Sequence, residues 1–161
     1  MASLLQATRY DNHVTRPALF ALLFAACATA ETYTLTLRQA IDQALAWKKS
    51  GTAKSIGVVA NVVELLERLI ERKVTPDVLT DQTSAHDPLG GYVPDGMKYA
   101  DALALRGRDP KRYEQESFRT MKDHVRAMLA LQGGGADTFD YGNNLRGHAH
   151  QAGLAREEAF G

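Results

Sequence analysis

The chain has 161 residues, 45% of them hydrophobic, enough for one domain that removes roughly 70% of its unfolded surface from water. Lys plus Arg and Asp plus Glu both number 19, so the formal net charge is zero. No broad field draws such a chain to phosphate polymers, and nucleic acid is not an expected partner. Cys27 is the single cysteine, which excludes an internal disulfide and leaves no Cys/His spacing for a structural zinc. A reducing, cytoplasmic setting is expected.

Ala18 to Ala30 (ALFALLFAACATA) follows Arg16 and ends in small residues. It has two readings, the h-region of an export signal or a buried helix of an α/β domain; it is too short to span a bilayer as a helix. Export is the lesser of the two, because the preceding residues include Asp11 as well as Arg9 and Arg16. From Leu37 to Lys49 the apolar residues Leu37, Ala40, Ile41, Ala44, Leu45 and Trp47 recur three or four apart and predict an amphipathic helix ended by Ser50 and Gly51. Ser55 to Ala60 (SIGVVA) is short, apolar and without alternation, as a strand covered on both faces of a parallel sheet would be.

Val62 to Arg72 then sets Val62, Val63, Leu65, Leu66, Leu69 and Ile70 on one broad face, predicting a crossover helix. Asp77 to Thr80 (DVLT) is the next strand, which would complete a right-handed βαβ unit with Ser55 to Ala60. Asp81 to Pro94 is a polar loop bearing Gly and Pro. Tyr99 to Arg106 and Lys111 to Leu131 predict helices, with Pro110 in a first-turn position and Gly133 to Gly135 as the stop. Asp137 to Asp140 is a third strand, and Leu145 to Phe160 is helical. The fold class is α/β, a parallel sheet with flanking helices.

In an open parallel sheet the ligand lies beyond the carboxyl ends of the strands. Three segments would line that edge: Asn61; Gln82, Thr83, Ser84, Ala85 and His86; and Tyr141, Gly142, Asn143 and Asn144. Their amide, hydroxyl, imidazole and phenol groups suit a donor- and acceptor-rich ligand such as a dinucleotide. Plainer roles stand beside this one. Asn61 on pattern alone caps the helix from Val62, Thr83 and Ser84 can shape a turn, and Tyr141 can be a half-buried aromatic with a wet hydroxyl. Asp81, His86 and Asp87 are better read as turn formers and caps than as metal ligands. His148 and His150, two apart on a helix, make no metal pair. No G-x-G-x-x-G lies between a strand and a helix.

The residues become specific in VTPDVLTDQTSAHDPLGGYVPDGM (Val74 to Met97), whose Asp81–Pro94 portion resembles the nicotinamide-cofactor loop of urocanate hydratase, or urocanase. SIGVVANVVELL (Ser55 to Leu66), MKDHVRAMLALQ (Met121 to Gln132) and FDYGNNLRGHAHQAG (Phe139 to Gly153) are similar to the same family in the same order. The resemblance covers about three quarters of the chain and implies a middle portion of a longer enzyme: an unmatched segment over residues 1–36, then a partial, incomplete Rossmann-like NAD-binding domain over residues 37–161. It departs from the family's usual pattern at Val62, where alanine is common, at Gly90, where asparagine is, and at Gly147 and His148.

What the resemblance implies is a hydro-lyase of histidine degradation, cytoplasmic and homodimeric when complete. NAD would be its tightly held electrophilic cofactor, and it would add water to urocanate to give imidazolone propionate. Carried over residue by residue, the cofactor contacts fall on Asn61, Val62, Gln82, Thr83, Ser84, Ala85, His86, Tyr92, Val93 and Tyr141. The family's glycine-rich phosphate segment has no counterpart in the first thirty residues, and its active-site cysteine, which Cys27 is not, is expected beyond Gly161. Little hydratase turnover is therefore expected of this polypeptide alone. The alternative is a non-catalytic truncated product or a residual NAD-binding module.

Overall fold

The computed structural model describes residues 4–7, 31–142 and 144–160; Ala18 to Ala30, with Cys27 and the export-signal reading, lies outside them, as does Asn143. The chain divides into two compact units, one ending at Ala60 and one beginning at Asn61.

The first unit holds β1 (Leu4–Ala7), β2 (Glu31–Thr34), α1 (Leu37–Ser50) and β3 (Gly57–Val58). Helix α1 opens with a reciprocal cap: Gln39 N–H donates to Thr36 Oγ1 at 3.3 Å, and Thr36 N–H donates to Gln39 Oε1 at 2.8 Å. It closes on Gly51, whose φ of 68° is the left-handed conformation that a side chain disfavours. Leu37, Ala40 and Ile41 form its buried stripe. The strands make an antiparallel sheet in the order β2-β1-β3, with Leu5 opposite Val58 and Gln6 opposite Gly57.

That pairing corrects the sequence reading of Ser55 to Ala60. The segment contributes only a two-residue strand, its partner is antiparallel, and Val59 is 72% exposed rather than covered. A short apolar run specifies an extended chain but not its partner, so the expected βαβ unit joining it to Asp77–Thr80 does not form.

The second unit contains α2 (Val62–Glu71), β4 (Val78–Asp81), α3 (Tyr99–Arg108), α4 (Pro110–Gly133), β5 (Asp137–Asp140), α5 (Asn144–Gln151) and α6 (Arg156–Phe160). Strands β4 and β5 are parallel, in register from Val78 opposite Asp137 to Asp81 opposite Asp140. The parallel crossover therefore runs through α3 and α4, one connection later than expected. Asp109 caps α4 by accepting from Arg112 N–H at 3.1 Å, with Pro110 in the first turn where its missing donor costs nothing.

Helix α4 is the spine of the core. Tyr113, Ser117, Thr120, Met121, His124, Val125, Met128 and Leu131 recur three or four apart along its buried face. Against it lie Leu66 of α2, Ala85 and Tyr92 of the long loop, and Leu145 and Ala149 of α5. Each fully buried Leu, Met or Val adds roughly 1.5–3 kcal/mol over an exposed one. A smaller cluster of Ala102, Leu105 and Tyr113 holds α3, with Leu89 and Met97 packed beside it.

Candidate functional site

The loop after β4 begins with a buried carboxylate. Asp81 is 7% exposed; its Oδ1 accepts from Thr83 N–H and its Oδ2 from Thr83 Oγ1–H, both at 3.1 Å. This turn leaves Gln82, Thr83 and Ser84 on the surface and tucks Ala85 into the core. Asp87 shapes the next turn: its Oδ1 accepts from Leu89 N–H at 3.2 Å and Gly90 N–H at 2.8 Å, and its carbonyl accepts from Gly91 N–H at 2.9 Å. Gly91 lies against the outgoing limb so closely that a Cβ there would stand 2.7 Å from both Ser84 Cβ and Ser84 O. The two limbs touch through backbone, which holds the intervening His86 exposed.

Three links join the predicted segments. Asn61 caps α2, its Oδ1 accepting from Val63 N–H at 3.0 Å, while its Nδ2 donates to the Val93 carbonyl at 3.0 Å. The Asn61 amide thus serves both the helix and the loop. Tyr141 N–H donates to the Asp81 carbonyl at 3.3 Å and extends the parallel ladder by one bond. Arg146 Nε donates to Asp140 Oδ2 at 3.1 Å, tying α5 to the end of β5.

The ten sequence-predicted residues are therefore not equivalent. Gln82, Thr83, Ser84, His86, Val93 and Tyr141 are exposed; the Tyr141 ring, 74% exposed, meets Phe139 edge-on at 6.2 Å. Asn61 and Val62 are half-buried, and Val62 packs against the core. Ala85 and Tyr92 are each 3% exposed and belong to the core. The Tyr92 ring points inward, its hydroxyl 3.3 Å from His124 Nδ1, while its carbonyl accepts from Tyr113 O–H at 2.9 Å.

This inward network is what pattern reading missed. His124 Nε2 lies 3.9 Å from Asp81 Oδ1, so α4 meets both the end of β4 and the returning limb of the loop. Burial lowers the His124 pKa, against the opposing pull of Asp81. Burial also raises the Tyr92 pKa, with Asp81, Asp95 and Asp123 acting in the same direction. Burial thus favours the neutral form of both groups. Their trace in the sequence was Ser117, Thr120 and His124 at core spacing on an otherwise apolar helical face.

A cavity of about 300 Å³ between α4, β5, α5 and α6 borders Phe139, Asp140 and Arg146 but none of the ten predicted residues. Gln82, Thr83, Ser84, His86 and Tyr141 are exposed at the loop end of the parallel pair, outside that lining. Among the described residues no cluster of three His, Cys, Asp or Glu side chains could hold a metal ion, and no helix is long and apolar enough to cross a membrane.

Compared with known families, residues 28–161 match the urocanase Rossmann-like domain. Both strands of the parallel pair and all three candidate segments fall inside that match. The chain therefore belongs to the urocanase family, with the α/β architecture of its Rossmann-like domain.

Proposed function

We propose that this chain forms the cofactor-facing wall of a urocanate hydratase, a hydro-lyase that adds water to urocanate to give imidazolone propionate with NAD as its cofactor. The observation that carries the reading is the placing of exposed Gln82, Thr83, Ser84, His86 and Tyr141 directly after the paired carboxyl ends of β4 and β5, within a urocanase-family match.

The donor set fits a dinucleotide. Gln82 offers an amide that both donates and accepts, Thr83 and Ser84 offer hydroxyls, and Tyr141 presents an open aromatic face against which a planar ring can stack. Val93 would line the site, Ala85 and Tyr92 would support it from beneath, and Asn61 with Val62 would border it from the start of α2. When bound, NAD supplies an electrophilic nicotinamide that activates the substrate's imidazole ring towards water. The chain's own residues bind and orient: the Asp81 and Asp87 turns fix the loop's backbone, and the packed body beneath it excludes water from one side. A place in histidine degradation, a cytoplasmic setting and a homodimeric assembly complete the proposal and rest on family resemblance.

Calorimetric titration with NAD tests it. Weak but saturable binding is expected, because among the described residues no Gly-rich turn at a helix N-terminus is present to cradle the pyrophosphate. Heat that never saturates at any attainable NAD concentration would sink the reading.

A further inference from the structure

The middle of the Asp81–Pro94 loop is held by short-range turns, Ala85 N–H to Thr83 O, Asp87 N–H to Ser84 O and Gly91 N–H to Asp87 O. Bonds of that range shape a loop without fixing it against the body of a domain. Its two ends meet one side chain of α4. His124 is 1% exposed, with Nε2 3.9 Å from Asp81 Oδ1 and Nδ1 3.3 Å from the Tyr92 hydroxyl.

The chemistry of the neighbours assigns the protons. The Asp81 carboxylate, bonded to Thr83 N–H and Thr83 Oγ1–H, lies 3.9 Å from Nε2, too far for a direct hydrogen bond but near enough that its charge favours an N–H over a lone pair on the facing nitrogen. Nε2 then carries the proton, Nδ1 keeps its lone pair, and the Tyr92 hydroxyl donates to it. The other neutral tautomer would turn a lone pair on the carboxylate. A doubly protonated ring would turn an N–H on the Tyr92 hydroxyl and end that donation.

We propose that His124 is a positioning residue for the ligand loop, its imidazole hydrogen-bonded to the Tyr92 phenol on the loop's return and set 3.9 Å from the Asp81 carboxylate at the end of β4. The proposal rests on reading that loop as the cofactor-facing wall. The ring holds the separation between strand end and returning limb, so Gln82 to His86 project from a backbone set before ligand arrives. The groups facing the ring are Asp81 from β4 and Tyr92 from the loop, with Asp95 of the loop and Asp123 and Arg119 of α4 acting on the Tyr92 phenol. Burial favours the neutral ring and so this arrangement.

The test uses the 161-residue chain with and without NAD. Ring-nitrogen NMR of the unmodified protein should give the shifts of a neutral Nε2–H tautomer for His124; an Nδ1–H tautomer or an imidazolium at neutral pH overturns the proposal. Amide exchange is then compared between the unmodified chain, Tyr92→Phe, which removes one hydroxyl, and His124→Gln, which keeps a donor. In Tyr92→Phe, the amides of Thr83, Ala85, Asp87 and Gly91 should exchange about tenfold faster, the opening expected from loss of one buried hydrogen bond, while α2 and the rest of α4 are unchanged. His124→Gln should retain more protection at Thr83 than at Gly91. Uniform acceleration through the whole unit, or none in the loop, overturns the positioning role. If loop amides respond as expected but NAD neither binds nor slows their exchange, the positioning role stands and the cofactor reading fails. If NAD binds while both variants leave loop exchange unchanged, the reverse holds.

Discussion

The side-chain amide of Asn61 donates to the backbone carbonyl of Val93 at 3.0 Å, while its oxygen caps α2 through Val63 N–H. One residue thus sets the start of a helix and the end of the ligand loop. Replacing it separates the two duties. Asn61→Asp keeps an acceptor for the cap but has no donor for Val93, so the loss should be confined to the loop and cost roughly 0.5–1.5 kcal/mol. Asn61→Ala loses both and should cost about 1 kcal/mol more for the cap. Urea midpoints for the two variants check this; an unchanged midpoint in Asn61→Asp would show that the Val93 contact contributes nothing, and equal losses in both that the cap does not.

Two glycines should respond to alanine with opposite signs. A Cβ at Gly91 would stand 2.7 Å from Ser84 backbone oxygen, so Gly91→Ala must part the loop's limbs and should cost roughly 1–3 kcal/mol. Gly107 sits within α3 with nothing within 4 Å of where its Cβ would be, so Gly107→Ala should stabilise by about 0.5–1 kcal/mol. Thermal unfolding of both variants gives the signs directly.

Ser117 is fully buried on α4, and its hydroxyl has no hydrogen-bond partner among the described residues. Removing an unsatisfied buried group relieves its desolvation cost, so Ser117→Ala should stabilise by about 1 kcal/mol. Destabilisation on denaturant unfolding would mean that the hydroxyl has a partner in solution.

The pH dependence follows from His124. Its folded pKa is lowered from 6.5 by burial, so the unfolded chain takes up a proton there before the folded one does. This contribution to stability is present above 6.5 and is lost as pH falls from 6.5 to the folded value. Urea midpoints should drop across that window in the unmodified chain, and less steeply in His124→Gln. Parallel profiles would remove His124 as the source.

The four longer helices and both parallel strands were legible because each has a local signature: the three-and-four spacing of Leu37 to Trp47, the cap at Asn61, the Pro110 start, the glycine stop at Gly133 to Gly135. Partnership was not legible. Val58 pairs with Leu5 across an antiparallel sheet, and nothing in SIGVVA distinguishes that neighbour from a parallel one. The turns of the site were readable in Asp81, Thr83 and Asp87, whose side chains bond nearby backbone. The inward turn of Tyr92 was not, because it depends on His124, 32 positions on. Such a contact leaves only a polar residue at a core position as its trace.

The central claim is that the exposed groups beyond β4 and β5 face the cofactor. Amide chemical-shift mapping during an NAD titration tests it most directly. Shifts are expected at Gln82 to His86, Val93 and Tyr141, with Asn61 following and the far turn at Gly133 to Gly135 unmoved. Shifts confined to the cavity around Phe139 and Arg146, or absent throughout, would contradict it.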